Sequence, residues 1–244
     1  MAEQTFEQQL VAYIKRTADE FQTVRGEIAD SAVSNADQIS YGEGSVADAL
    51  DDLLYKAISI DSFNCNVGTQ EKGATVTDVT LSWKLNKTPT TLSLNDEPLG
   101  TEDTQKVLSG QSITENTNWT LKATDDREAT AQKSVGIQFL NGIYYGKGTV
   151  TDTSGVTNEF VLGLTKKLQA SRAGTWSVTA DEGEYIYFAI PTSMGTPTFT
   201  VGGFDGGFTK LHTFEFQNSQ GHTESYDVWK SENANLGNTT VVVK

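Results

Sequence analysis

The spacing between apolar residues changes once along this chain, and that change constrains the fold more than any other feature. Up to about residue 56, apolar side chains recur at the three- and four-residue intervals of an α-helix. After that point they alternate with polar residues, which is the pattern of half-buried β-strands, and Thr, Ser, Gly, Val and aromatic residues predominate. The sequence therefore predicts a mainly β protein with an N-terminal α-helical segment.

The first thirty residues predict one long helix with a continuous apolar seam. Successive seam residues are 4, 3, 4, 3 and 4 positions apart, which is the heptad spacing of a coiled coil. Two interpretations fit: an amphipathic helix that lies on its own domain, or a short parallel coiled coil between identical chains. The polar Thr17 would cost a coiled coil stability and would help to fix its register. The seam consists of Leu10, Ile14, Thr17, Phe21, Val24 and Ile28.

A second, shorter helix is predicted to begin after Ser45. The Ser45 hydroxyl can cap the first free backbone N–H groups, and Asp48 completes a capping-box pattern. Residues 30–44, which are mostly small and polar, form a connector before it. A helix of about three turns is marginally stable alone, so its apolar face needs a partner, either residues 58–67 of its own chain or copies of itself. That face comprises Val46, Ala49, Leu50, Leu53 and Leu54.

The β region is predicted to form two domains, residues 57–140 and 141–244, after a helical anchor and stem over residues 1–56. In the first domain the strand VTLSWKLN alternates with Trp83 on its core face, and NWTLKATD does so with Trp119. Regularly spaced strands and turns are typical of an immunoglobulin-like or fibronectin type III-like β-sandwich. No cysteine pair supports the antibody version of that fold.

The C-terminal domain is predicted to be a second β-sandwich. Its GGFDGGF stretch indicates that backbone flexibility or close packing is needed there. Its aromatic residues suggest two roles, a platform for sugar stacking or a core, and we expect most of them in the core. Two of them are adjacent in one strand and therefore point to opposite faces. The set is Tyr144, Tyr145, Trp176, Tyr185, Tyr187 and Trp229.

The chain is strongly acidic, with a formal net charge of -14 at pH 7. Binding to nucleic acid or to an anionic membrane surface requires clustered Lys and Arg, so neither partner is expected. Its one cysteine, Cys65, permits no intrachain disulfide, which fits a reducing compartment. We expect no signal peptide, because the N-terminus lacks a basic leader and an apolar run, and no membrane insertion.

No catalytic or metal centre is predicted. The two histidines fall in one hairpin, where His222 is expected to pair with Gln217 and His212 with Asp227, so that they lie on opposite faces. Cys65 has no histidine signalled nearby and is expected to be a buried structural thiol. No nucleophile elbow, phosphate loop or dinucleotide fingerprint is present. We therefore expect a non-enzymatic protein without metal or cofactor.

Four stretches resemble structural proteins of tailed bacteriophages and prophages, namely small fibre, appendage or baseplate-associated proteins. They are LVAYIKRTADEFQTVRGEI, GSVADALDDLLY, VTLSWKLNKTPTTLSLNDEPL and the close that runs from YIYFAIPTSMGTPTFTVGGF to YDVWKSENANLGNTTVVV. The resemblance covers nearly the whole chain, and the C-terminal stretch is its more specific part. It implies a virion component that is assembled in the bacterial host cytoplasm, and it supplies no catalytic residues.

The resemblance also implies a place for each part of the chain. The helical N-terminus would attach to capsid or tail, as in a head fibre, tail fibre or capsid decoration protein, while the β domains project outward. The short helices of several copies would form a collar around a symmetry axis. We therefore expect a homo-oligomer, of three copies because phage fibres are usually three-fold, with other virion proteins and a host cell-surface glycan as candidate partners. The alternatives are a carbohydrate-binding module or adhesin, and a hydrolase with unrecognised carboxylates.

Overall fold

The computed structural model describes the backbone of residues 5–32, 40–41 and 44–244, and the side chains of residues 5–25, 45 and 47–244. Within these residues the protein is mainly β with an N-terminal helical segment. The chain divides into two compact units, Met1–Ala57 and Ile58–Lys244, which we call the helical unit and the β unit. The predicted change of period near residue 56 therefore coincides with a structural boundary.

The helical unit contains α1 (Phe6–Ala32) and α2 (Val46–Leu54), with the two-residue strands β1 (Ser40–Tyr41) and β2 (Gly44–Ser45) paired between them. Thr5 caps α1 reciprocally, because its hydroxyl accepts from the Gln8 N–H and the Gln8 side chain accepts from the Thr5 N–H. Most of the predicted connector lies outside the described residues.

The capping box predicted for α2 is confirmed. The Ser45 Oγ accepts from the Asp48 backbone N–H at 3.1 Å, and the Asp48 carboxylate accepts from the Ser45 N–H at 2.8 Å. The helix is nine residues long, somewhat shorter than the predicted three turns. Two of the four N–H groups at the start of the helix therefore have side-chain acceptors, while the leucines of its apolar face remain exposed.

The β unit begins with two antiparallel sheets. One has the strand order β3-β5-β8 and the other has the order β10-β9-β6-β7. A short strand, β4, lies outside both sheets. The strands are β3 (Ile60–Cys65), β4 (Gln70–Glu71), β5 (Val79–Leu85), β6 (Thr91–Leu94), β7 (Glu97–Leu99), β8 (Gln105–Leu108), β9 (Thr117–Thr124) and β10 (Thr130–Ile137).

Both sheets contribute to one apolar core, an arrangement consistent with a β-sandwich. Alternation along β5 buries Val79, Leu81 and Trp83, while β9 buries Trp119 and Leu121 from the other sheet. The predicted burial of the two tryptophans is confirmed. The indole N–H of Trp83 donates to the Asp103 carbonyl at 2.7 Å, so the buried ring leaves no polar atom unpaired.

The rest of the β unit forms two further sheets. The first has the order β12-β11-β14-β18-β17, and the second has the order β13-β19-β15-β16. One-turn helix α3 (Asn158–Leu162) lies between β11 and β12 and was not predicted. The strands are β11 (Phe139–Gly148), β12 (Thr165–Gln169), β13 (Gly174–Ala180), β14 (Tyr185–Pro191), β15 (Phe199–Val201), β16 (Phe204–Asp205), β17 (Phe208–Gln217), β18 (Thr223–Ser231) and β19 (Gly237–Val243).

The central strand β14 of the first of these sheets is buried on both faces. On one face Phe188 and Ile190 of β14 pack with Trp176 and Val241 of the second sheet. On the other face Tyr187 packs in a separate cluster that includes residues of the α3 segment. Because both faces are covered, β14 is a continuous apolar run rather than an alternating one.

The glycine-rich stretch GGFDGGF forms the tip of the β15–β16 hairpin and its exit. All four glycines have positive φ, from 56° at Gly202 to 105° at Gly206. Residues with a Cβ rarely adopt these conformations, which accounts for the glycines here. Close packing does not account for them, because an added Cβ at Gly202, Gly203 or Gly206 would meet nothing within 4 Å. Phe204, at the centre of the stretch, is 81% exposed.

The predicted pairing in the β17–β18 hairpin is wrong by one residue. Gln217 pairs with Thr223 instead of His222, and His212 pairs with Val228. The Asn218 side chain accepts from the backbone N–H of His222, which closes a turn one residue longer than the one assumed.

A junction formed by β4 connects the early and late parts of the β unit. The strand pairs in parallel with β11, so that the Gln70 N–H donates to the Gln138 carbonyl at 2.8 Å and the Lys72 N–H donates to the Leu140 carbonyl at 3.0 Å. We call this pairing, together with the contacts of Glu71, the β4 junction.

Glu71 is the buried centre of the β4 junction. Its carboxylate accepts from the Tyr144 hydroxyl at 3.0 Å and from the Lys166 ammonium at 2.6 Å, with the Ser219 hydroxyl at 3.4 Å. Burial and the adjacent Glu71 charge raise the pKa of Tyr144 well above its ordinary value. The junction ties residues before position 140 to residues after it, and the domain boundary at 140/141 stays a prediction.

Candidate functional site: an apolar surface on the helical unit

The predicted seam of α1 is exposed in the described part of the chain. Leu10, Ile14, Phe21 and Val24 are 45%, 58%, 72% and 49% exposed. Thr17 is half-buried. The side chain of the sixth seam residue, Ile28, lies outside the described residues. Large apolar side chains on a folded helix are normally covered, so this exposure identifies α1 as a surface that needs a partner.

The apolar surface of α1 is wider than the predicted seam. Phe6, Val11 and Tyr13 are also exposed, and in the heptad register of the seam they occupy the flanking e and g positions. On a wheel of 100° per residue, these side chains and the seam span an arc of about 160°. These three residues were not predicted from the sequence, although the one-heptad spacing of Phe6 and Tyr13 was a usable signal.

The apolar face of α2 is exposed as well. Leu50, Leu53 and Leu54 are 46%, 79% and 73% exposed, and Ala49 is half-buried. The Val46 side chain lies outside the described residues. The capping box fixes where this helix begins, and hydrogen bonds from the Ser45 backbone and hydroxyl lower the pKa of Asp48. The helix is therefore ordered at its start by polar contacts while its leucines still face solvent.

The polar face of α1 behaves as an ordinary solvated helix surface. Arg16 and Glu20 form an exposed ion pair at 3.7 Å with i,i+4 spacing, and such pairs contribute little stability. The Thr23 hydroxyl donates to the Asp19 carbonyl within the same helix. Burial of one exposed Leu or Phe, by contrast, is worth about 1.5–3 kcal/mol. Association through the apolar faces is what this arrangement favours.

The potential metal ligands of the β unit are dispersed among the residues that the structure describes. In the described ranges, no three His, Cys, Asp or Glu side chains come close enough together to hold one metal ion. Cys65 is half-buried against the first core, less buried than predicted. Across residues 5–32, 40–41 and 44–244, we find no helix with the length and apolar character to span a membrane.

The aromatic residues of the β unit are mostly internal, as predicted. Tyr144, Trp176 and Tyr187 are buried, while Tyr145, Tyr185 and Trp229 are half-buried. Tyr187 has the surroundings of a core residue, because burial raises the pKa of its hydroxyl to about 12. The six residues do not form an exposed row on the surface.

No model of a protein family and no curated protein matches this chain. Three solved structures are similar to it at low identity. An alpha-L-rhamnosidase from Dictyoglumus thermophilum is 11% identical, with a TM-score of 0.25, over 78% of this chain and 25% of that one. A chitinase from Bacillus thuringiensis is 10% identical, with a TM-score of 0.22, over 84% of this chain and 31% of that one.

The third structure contains the N-terminal eight immunoglobulin domains of Down Syndrome Cell Adhesion Molecule. It is 8% identical, with a TM-score of 0.22, over 75% of this chain and 25% of that one. The chain thus spans a quarter to a third of the length of these structures. At these TM-scores the similarities do not bear on the function of this chain.

Proposed function

We propose that this chain is a non-enzymatic structural component of a tailed bacteriophage particle. It is a fibre-like or decoration protein that attaches to the capsid or tail by its helical N-terminus and projects its β unit outward, towards a host-surface glycan. The observation that carries this proposal is that α1 and α2 expose an apolar surface in a chain whose β unit has well-buried cores. The resemblance of the four sequence stretches to phage structural proteins supports it.

The first partner of the helical unit is another copy of the same chain. Heptad spacing along Leu10, Ile14, Phe21 and Val24 is the pattern by which parallel helices bury one another's side chains. In the assembled protein α2 forms a collar around the same axis, which covers its leucines. Three copies are proposed on the resemblance to phage fibres, because the mixed seam residues do not specify the number of strands.

The β unit is proposed to contain two sandwich domains, the first of them immunoglobulin-like or fibronectin type III-like. What supports the first assignment is the strand order β3-β5-β8 opposite β10-β9-β6-β7, seven antiparallel strands around one core. What supports the second is the core between the sheet that contains β14 and the sheet that contains β19. In this proposal both domains serve as a rigid projecting body.

The oligomer is tested with the double variant Phe21→Glu/Val24→Glu of the full chain. Glutamates on the shared axis would bury like charges, so we expect the variant to be monomeric while the wild type is trimeric. Sedimentation velocity over a range of concentrations measures the mass of each. Near-UV circular dichroism, which reports the tryptophans of the β unit, is expected to be unchanged.

The matched control is Val107→Glu, which places the same charge on an exposed apolar residue of the β unit. This variant should remain trimeric. A wild-type protein that is monomeric at high concentration contradicts the proposed oligomer, and so does a double variant that sediments like the wild type. Whole-particle imaging of a phage that carries the chain tests the virion assignment, and absence of the chain from the particle overturns it.

A further inference from the structure

The residues that flank the seam of α1 fit one particular contact between copies of the chain. Where two parallel helices align without a stagger, the residue at a g position of one helix faces the residue at the e position five places further along the other. In the heptad positions that the seam defines, six exposed side chains form three such pairs. The pairs, each with its g residue first, are Phe6 with Val11, Tyr13 with Ala18, and Glu20 with Arg25.

The first two pairs are apolar. Phe6, Val11 and Tyr13 are 77%, 65% and 60% exposed, and they lie outside the seam, so contacts between seam residues alone do not cover them. In the unstaggered parallel arrangement Phe6 lies against Val11 of the neighbouring copy, and Tyr13 lies against its Ala18. One alignment therefore covers the seam and the apolar residues beside it together.

The third pair consists of opposite charges. Glu20 and Arg25 are five residues apart, so they do not face each other on their own helix, where neighbouring side chains are three or four residues apart. The Glu20 carboxylate contacts Arg16 of the same helix at 3.7 Å, but both side chains are mostly exposed. An ionised carboxylate accepts from more than one donor, so Glu20 retains acceptor capacity for Arg25 of a neighbouring copy.

Other alignments of α1 lose the charged pair. A stagger of one heptad keeps the seam in contact but brings one Glu20 to Ala18 and one Arg25 to Tyr13 of the neighbouring copy. An antiparallel pairing places g beside g and e beside e, so that Glu20 does not meet Arg25 at all. Charge complementarity therefore distinguishes one alignment from the others, which the heptad spacing of the seam does not.

We propose that α1 associates with further copies of this chain in one alignment only, parallel and without a stagger, which the pair of Glu20 and Arg25 between neighbouring copies selects. The inference rests on the proposed self-association of the helical unit and adds how the copies face one another. Exposed ion pairs contribute little affinity, so the apolar side chains supply the affinity and the charged pair sets the alignment. The C-terminal ends of all α1 helices then lie together.

Cysteine cross-linking of the full chain tests the alignment directly. Every variant also carries Cys65→Ser, which removes the one native cysteine. Leu10→Cys places a thiol near the start of the seam, where two copies meet in the proposed alignment, so oxidation should link chains in pairs on a non-reducing gel. In an antiparallel assembly centred on the seam, the two thiols would be about 27 Å apart along the axis, which is too far for a disulfide.

The matched control is Asp19→Cys, because position 19 is an f position on the outer face of the helix. This variant should stay unlinked under the same oxidation. A mixture of Leu10→Cys and Thr17→Cys chains tests the stagger, since Thr17 lies one heptad after Leu10. Peptide mass spectrometry should find links between like positions, and links between positions 10 and 17 would overturn the proposed alignment.

Charge reversal tests whether Glu20 and Arg25 select the alignment. Glu20→Arg and Arg25→Glu each place like charges at three contacts of a trimer. Each should raise the concentration at which half of the chains are assembled by about fivefold, measured by sedimentation equilibrium. The control Lys15→Glu changes the net charge as much as Arg25→Glu does, but at a b position away from these contacts, and should assemble like the wild type.

The double variant Glu20→Arg/Arg25→Glu restores opposite charges between copies in reversed order. It should assemble within about twofold of the wild type. Like Glu20→Arg alone, it lacks the ion pair with Arg16 of its own helix, so its recovery reports the contact between copies. A double variant that assembles no better than the two single variants overturns the role of the charged pair.

The alignment and the proposed oligomer fail separately. A trimeric protein whose Leu10→Cys variant forms no link overturns the alignment and leaves the trimer standing. A dimeric protein whose Leu10→Cys variant does form the link retains the alignment and overturns the number of copies. A wild-type protein that is monomeric at high concentration overturns both proposals.

Discussion

The helical unit and the β unit differ in how far their large apolar side chains are exposed to solvent. Of the thirteen that are strongly exposed in the described residues, ten lie in the helical unit, although it is the shorter of the two. Only Val107, Leu162 and Phe204 are exposed in the β unit. The β unit covers its own apolar surface with stacked sheets, whereas the apolar surface of the helical unit is left exposed.

The difference follows from how the two kinds of element bury surface. A sheet pairs its backbone with neighbouring strands and presents a whole face, so the two sheets that carry Trp83 and Trp119 enclose a core within one chain. A single helix satisfies its backbone internally but has nothing to pack against. The comparison therefore predicts that substitutions in the β unit change its unfolding, while substitutions on the helices change assembly.

The largest expected effect tests whether the β unit is self-sufficient. Trp83→Ala removes a buried ring from the first core and its hydrogen bond to the Asp103 carbonyl, which should lower the free energy of unfolding by about 3–5 kcal/mol. Urea denaturation followed by circular dichroism measures this loss. The control Val107→Ala, at an exposed position, should change stability by less than about 0.5 kcal/mol. A Trp83→Ala variant as stable as this control would contradict the assigned core.

The second effect tests whether the early and late parts of the β unit are one body. Glu71→Ala leaves the buried Tyr144 hydroxyl and the Lys166 ammonium without their acceptor. We expect a loss of about 1–3 kcal/mol, since the Lys166 side chain is one-third exposed and its share is reduced by solvent screening.

Scanning calorimetry measures this loss and also shows whether a second transition separates from the first. The control Glu97→Ala removes an exposed carboxylate of β7 and should leave the melting curve unchanged. If Glu71→Ala melts like the wild type, the β4 junction does not stabilise the protein.

The smallest effect lies in the helical unit and depends on pH. The pKa of Asp48 is lowered in the folded helix by the Ser45 hydrogen bonds, so the unfolded chain binds the proton more tightly. The stabilisation of α2 is therefore fully present above the unfolded pKa of about 3.9 and is lost as the pH falls through the lower, folded value. Hydrogen exchange of the Asp48 amide should accelerate over that acid range.

The variant Asp48→Asn should exchange faster than the wild type at neutral pH and should lack this acid step. Asp51→Asn, on the same helix, is the control and should keep the step. An acid step of equal size in the Asp48→Asn protein would show that another group causes it.

Local patterns in the sequence predicted local features well. Strict alternation in VTLSWKLN placed Trp83 inside β5, and the Ser45–Asp48 spacing identified the cap of α2, because both depend on neighbouring residues alone. The heptad spacing identified the apolar face of α1. It did not show that the face is exposed, since periodicity tells which side chains share a face and not what covers them.

Very short elements, pairings between distant residues and the length of a turn were not predictable. β4 is two residues long, which is too short to show a periodic pattern in the sequence. Its partner strand lies 69 positions later in the chain. The α3 helix has five residues, which is less than two helical turns and too short to show helical periodicity in the sequence. In the β17–β18 hairpin one side-chain contact of Asn218 shifted the pairing by a residue, which moved His212 opposite Val228.

The β4 junction also has a consequence for the order in which the chain folds on the ribosome. Glu71 is synthesised 95 residues before Lys166 and 148 before Ser219. At about 5–20 residues per second, roughly 5–20 s pass between the synthesis of Glu71 and the synthesis of its lysine partner. During that interval the first two sheets can form while β4 remains unpaired and hydrated. β4 then pairs with β11 once the later strands have emerged, so residues that are translated late complete the packing of residues that fold early.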